Sequence, residues 1–178
     1  MLRVGAALLL LGALGTGCRG PTPRSDLVDG LGAARLARVQ RLGQAVLPDA
    51  RIDWGLSPRT ELGAWAWPDG RIRVSRALVD LLDDAELMAA LAHEVGHLLD
   101  RGDLSPPPAA LLGGAEGDDP ELRADQIGRR LLEARGLGPE AMGRMLAKVA
   151  ARSRGGGFAR RIAAARAACS PSAPPAWN

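Results

Sequence analysis

The sequence predicts an α+β domain, mostly helical, with a small three-stranded sheet. Two observations carry this. The segments "RIDWGL" (51–56), "ELGAWAW" (61–67) and "RIRVS" (71–75) read as strands, the last alternating cleanly between charged and apolar residues. Around them lie stretches with apolar residues at helical spacing and with recognisable helix ends.

In chain order, Asp26 to Val46 reads as a helix, with Leu27, Leu31, Ala34 and Leu42 as its apolar stripe, and Pro48 closes it. The strands at 61–67 and 71–75 flank "PDG" (68–70), where proline fixes φ and glycine permits an unusual one, so they should form a hairpin. A helix from Asp84 to Leu99 follows, capped by Asp83 or Asp84, with Leu87, Leu91, Val95 and Leu98 facing the core. Residues 101–119, "RGDLSPPPAALLGGAEGDD", are too rich in proline and glycine for one regular helix and read as a long loop. The next helix is well marked: Asp119 as cap, Pro120 at the first helical position, and Gly136 as terminator. Helices over 139–152 and 157–168 complete the domain, and residues 169–178 have the composition of a disordered tail.

The N-terminus has a separate role. Arg3 precedes an apolar run from Val4 to Leu14, too short to span a bilayer comfortably and built like a secretory signal. It ends in "LGTGC", which resembles a bacterial lipoprotein signal, with Cys18 as the lipidated residue. Such signals usually carry leucine where this chain has Gly15. An ordinary cleaved signal peptide or an N-terminal anchor are the alternatives. The organisation expected is a signal over 1–17, a tether over 18–25, a domain over 26–168 and a tail over 169–178. Arg19 is not the aspartate that commonly retains lipoproteins at the inner membrane. The expected location is therefore the cell envelope, lipid-anchored at the outer membrane and facing the periplasm.

Composition excludes several classes. With 23 basic and 20 acidic residues the charge is nearly balanced, and no basic patch with interleaved aromatics points to nucleic acid. Arginine supplies almost all the positive charge, Lys148 being the only lysine. The two cysteines are Cys18 and Cys169; with the first lipidated, neither a disulfide framework nor a thiolate metal cluster can form.

The chain has two histidines, and both lie in "HEVGH" (93–97). A helix turns through about 100° per residue, so positions four apart share a face. His93 and His97 can thus offer two imidazole nitrogens to one zinc ion, while Glu94 is turned too far to join them and can instead hold a proton from water. The neighbours Ala89, Ala90, Ala92 and Gly96 are small, which lets another element approach closely. The alternative is a pair of ordinary histidines on an alanine-rich helix. A catalytic zinc needs a third protein ligand, and with histidine and cysteine spent it must be a carboxylate. Glu116, Asp118, Asp119 and Glu121 are the downstream candidates. Glu121 stands out because it opens a capped helix with Asp125 one turn later, where a carboxylate could orient a ligand histidine. A helix-start acid stabilised by the dipole is the simpler reading of Glu121.

"ELMAALAHEVGHLLD" followed by "ELRADQIG" resembles the HtpX-like gluzincin metallopeptidases, the group that includes the CAAX prenyl endopeptidases and the Oma and BepA-like proteases. The resemblance spans roughly residues 30–168 and includes "GAWAWPDGRIRV", similar to the group's hairpin before the metal helix. It implies a zincin-like fold, one zinc ion per chain, His93, His97 and Glu121 as ligands, Glu94 as general base and Asp125 behind the ligands. Two departures stand out: Gly63 replaces an asparagine, and the histidine–proline pair usual before Arg161–Ile162 is absent.

The reaction implied is hydrolysis of peptide bonds in misfolded or mislocalised envelope proteins. A peptide would lie extended along Gly63, Ala64, Trp65, Ala66 and Trp67, adding itself to the sheet edge. Trp65 and Trp67 share a face of that strand, though core packing would also explain them. The chain has no tyrosine, so Arg161 is the candidate for stabilising the oxyanion, a solvated arginine being the alternative. Of another class is a non-catalytic zinc-binding lipoprotein that scaffolds envelope partners; Glu94 argues against it, since structural zinc needs no base. Cleavage of peptidoglycan cross-links is a weaker third reading, as nothing resembles a cell-wall binding module.

Overall fold

The computed structural model describes residues 23–104, 117–153 and 157–168. The signal, Cys18, most of the 18–25 tether, the middle of the 101–119 loop including Glu116, and the 169–178 tail lie outside the described residues. The chain runs α1 (Pro23–Val46), β1 (Asp53–Ser57), β2 (Ala64–Ala66), β3 (Arg71–Ser75), α2 (Arg76–Leu81), α3 (Asp84–Asp100), α4 (Pro120–Glu133), α5 (Glu140–Ala150) and α6 (Phe158–Ala168). This is the mostly helical α+β architecture that the sequence predicts.

The sheet order is β1-β3-β2. β3 is central: it pairs parallel with β1, Asp53 opposite Arg71, and antiparallel with β2, Trp65 opposite Arg73. The hairpin turn closes where "PDG" predicts. The Gly70 N–H donates to the Trp67 carbonyl, and Gly70 sits at φ +82°, a conformation that glycine adopts without a Cβ clash. β2 is shorter than the 61–67 segment suggests, and its outer edge has no strand partner among the described residues. Beyond β2 the Ser75 N–H donates to the Gly63 carbonyl and the Gly63 N–H to Ser75 Oγ, which carries the pairing one residue further.

α2 was not expected. Six residues are too few to show a helical period, and the strand runs straight into it. Its signal is Ser75, whose Oγ accepts the Leu78 N–H as a cap. α1 also differs. It begins at Pro23 within the expected tether, and its core contacts are Val39, Leu42 and Val46. Leu31, placed on the buried stripe by the sequence, is 55% exposed, and Ala34 is exposed too. The apolar spacing continues past the surface the domain offers. Arginines dock the helix instead: Arg35 forks onto Asp80, and Arg38 reaches Asp84 and the carbonyls of Val79 and Leu82.

α3 is the centre of the molecule. Asp83 caps it, with Glu86 closing a capping box, and Leu87, Leu91, Val95 and Leu98 are fully buried as the spacing predicts. The helix is buried on nearly every face from Glu86 to Gly96. α1 and α5 pack on it, β2 lies along it, and α4 approaches most closely. Glu86 is itself buried and receives Lys148 Nζ at 2.5 Å from α5. Two glycines set the α3–α4 spacing. A Cβ on Gly96 would lie 2.5 Å from the Ala124 carbonyl oxygen, and one on Gly128 would lie 3.0 Å from the His93 nitrogen.

This spacing makes a prediction. Gly96→Ala should destabilise the domain by about 1–3 kcal/mol through overpacking against backbone, despite a helix-propensity gain of about 1 kcal/mol. Gly30→Ala in α1, where a Cβ meets nothing within 4 Å, should be neutral or stabilising. Urea denaturation of both variants checks the contrast.

Candidate metal centre

The close α3–α4 contact brings the two sequence motifs together. α3 presents His93 and His97, whose rings lie edge to face with centroids 4.7 Å apart. α4 presents Glu121 from its first turn and Asp125 one turn later. Asp119 caps this helix, its carboxylate accepting the Glu121 N–H at 3.0 Å.

The donor atoms fit a metal. His93 Nε2 lies 3.4 Å from Glu121 Oε2, and His97 Nε2 lies 3.4 Å from Glu121 Oε1. These separations are long for hydrogen bonds. They match the edge of a tetrahedron with bonds of about 2.0–2.1 Å, which is about 3.3–3.4 Å. The three ligand atoms lie within 4.8 Å of one another.

Asp125 sits behind the ligands. His93 Nδ1 lies 2.8 Å from Asp125 Oδ1; with Nδ1–H donating, Nε2 keeps its lone pair for the metal. Asp125 is buried, which disfavours its charge, but hydrogen bonds from Arg161 and His93 outweigh this and hold it below the usual aspartate value. Burial likewise opposes a charged His93, yet Asp125 and Glu121 raise its pKa to about 9. Without metal the ring thus holds a proton near neutral pH, and ligation must displace it. Glu121 is pulled well below the ordinary range by the two histidines.

Arg161 comes from α6. Its Nε and Nη2 fork onto the two oxygens of Asp125 at 2.7 and 2.8 Å, and its Nη1 lies 2.8 Å from Glu121 Oε2. It therefore ties α6 to both carboxylates, a positioning role that its sequence context did not suggest. It also lines the cleft.

Glu94 is 8% exposed. Its carboxylate accepts no hydrogen bond from another described residue, and it faces the same cleft as the histidines. Burial raises its pKa, partly offset by His93 and His97. A mostly buried carboxylate that lines an open cleft beside two histidines suits a role in chemistry.

The cleft has a volume of about 600 Å³. One wall is the stretch Gly63–Trp67, with the free edge of β2; the other includes Met145 and Val149 of α5 and Phe158 of α6. Trp65 and Trp67 are half-buried here, so neither belongs to the core, which takes Trp54 instead. His93, Glu94, His97, Glu121, Arg161 and the stretch Gly63–Trp67 line this cleft and Asp125 lies directly behind it, while Cys18 and Glu116 lie outside the described residues. Asp118 and Asp119 do not join the ligand set, Asp119 being spent as a cap.

Residues 35–105 match Peptidase family M48. This accords with the resemblance to HtpX-like metallopeptidases seen in the sequence. The match covers the second half of α1, the sheet and all of α3, and stops before Glu121. The chain is also similar to metalloprotease YcaL of Escherichia coli (strain K12), 28% identical over 64 residues, or 36% of this chain. That similarity spans only 25% of the relative's length. The third ligand therefore rests on the geometry above and not on the family match.

Glu121→Gln should lower metal affinity severely, since it leaves two histidines and solvent. Asp125→Asn should lower it about 10–100-fold. Asp119→Asn should keep metal content near normal, because asparagine also caps a helix. Competition titrations with a zinc-sensitive dye measure all three. Tight binding by Glu121→Gln would remove it from the ligand set.

Proposed function

We propose that the protein is a zinc-dependent endopeptidase of the bacterial cell envelope, acting on misfolded or mislocalised proteins. One observation carries the catalytic part. The histidine pair and Glu121 converge beside a mostly buried Glu94, in a cleft walled by a strand edge that has no strand partner among the described residues. The family match and the metalloprotease relative support the same reaction class.

A zinc ion held by His93, His97 and Glu121 would supply a Lewis acid and make water a better nucleophile near neutral pH. The chain's own residues do the rest. Asp125 and Arg161 hold the His93 ring and the Glu121 carboxylate in place. The peptide adds to the outer edge of β2 as a further strand, with its backbone groups paired. Glu94 takes a proton from the attacking water on a carboxylate oxygen, then gives it to the departing amine. Its raised pKa suits both tasks. Arg161 also lines the cleft, and its guanidinium is offered to the oxyanion that develops on the carbonyl.

The envelope setting rests on the N-terminal sequence, with Cys18 as the lipid anchor. Among the described residues no helix is long and apolar enough to cross a membrane. The anchored form would face its substrates from the outer membrane into the periplasm.

Glu94→Gln should fold and keep zinc while losing about 10²–10⁴-fold or more in casein or peptide cleavage. Wild-type turnover in that variant would remove the general base from the account. Cys18→Ser should move the protein from the membrane to the soluble fraction with its activity intact. A variant that stays membrane-bound would show that the N-terminus anchors without lipid.

A further inference from the structure

Three arginines line the cleft: Arg59, Arg101 and Arg161. Arg161 is committed to Asp125 and Glu121. Arg101 donates from Nε to Asp103 Oδ2 at 2.7 Å. Arg59 has no carboxylate partner among the described residues. It is nevertheless held in place. Its guanidinium carbon lies 4.9 Å from the centre of the Trp65 ring, a cation–π distance, and its backbone N–H donates to Ser57 Oγ.

Trp65 is the middle residue of β2, and its ring lies along the strand over Gly63. A Cβ on Gly63 would come within 3.1 Å of the indole. A side chain at position 63 would press on this ring, which would have to give by a few tenths of an ångström. Gly63 leaves the indole in place as the platform on which Arg59 rests, beside a strand edge with no strand partner among the described residues.

We propose that Arg59, stacked on Trp65, selects an acidic side chain in the bound peptide. This rests on the reading of the cleft as a peptidase site with substrate paired to β2. In an antiparallel pair the residue directly opposite Trp65 has its Cβ about 4.5–5.5 Å from that of Trp65, on the same face. A Glu or Asp side chain there meets the guanidinium over the ring. Arginine suits the task because its planar fork stacks on the indole and still presents donors to a carboxylate.

The test uses the zinc-loaded full chain and internally quenched peptides that differ at one position, scanned as Glu, Gln or Lys along the substrate. At one fixed position Glu should raise kcat/KM about fivefold over Gln, an effect that salt weakens, and Lys should lower it. Arg59→Gln should bring the Glu:Gln ratio near one, and Arg59→Lys should retain part of it. Peptide binding to Glu94→Gln, followed by tryptophan fluorescence, should show the same Arg59-dependent ratio without turnover. Cleavage with no acidic preference, or a preference that survives Arg59→Gln, overturns the proposal and leaves the peptidase reading intact. Arg59-dependent binding of acidic peptides with no cleavage by the wild type overturns the peptidase reading and keeps the acidic subsite.

Discussion

The structure depends on how closely α3 and α4 approach. Gly96 faces the Ala124 carbonyl and Gly128 faces the backbone at His93, with no room for a Cβ at either contact. The histidines and the carboxylates come from segments far apart in sequence and on different helices. Only at this spacing does Glu121 come within 3.4 Å of both imidazole Nε2 atoms while Asp125 hydrogen-bonds His93 Nδ1. The full burial of Leu87, Leu91, Val95 and Leu98 then fixes the rotation of α3, so that the histidine face and Glu94 turn toward the cleft.

Packing alone would not hold such a cluster of charge. Three carboxylates crowd two imidazoles, and Asp125 is nearly inaccessible. Arg161 offsets this by spanning Asp125 and Glu121 at once, with the geometry of a rigid fork. Its arrival from α6 makes the C-terminal helix part of the site. A buried charge cluster of this kind contributes little to stability. It is better understood as a mould for a cation, in which the ligands are oriented before the cation arrives.

Much of this was legible in the sequence, for physical reasons that vary by element. α3 and α4 announce themselves because their caps, Asp83 and Asp119, and the terminator Gly136 are local signals with local causes. The histidine pair is legible because helical periodicity places i and i+4 on one face. The hairpin is legible because its turn chemistry sits between alternating segments. α2 was missed because a six-residue helix has no period to read, although Ser75 marks its start. Leu31 was misplaced because spacing shows which residues share a face and not how far the partner surface extends. The clamp formed by Arg161 could not be read at all, since an arginine's partners depend on how α6 folds back. The parallel pairing of β1 with β3 is a long-range choice of the same kind.

The account stands or falls on the ligand set. A crystal structure of the zinc-loaded protein, with anomalous scattering recorded at the zinc edge, tests it most directly. The account predicts one ion per chain, bonded at about 2.0–2.2 Å to Nε2 of His93, Nε2 of His97 and a carboxylate oxygen of Glu121, with Asp125 still on His93 Nδ1. An ion held by the histidines without Glu121, or bound at another place in the chain, would contradict it.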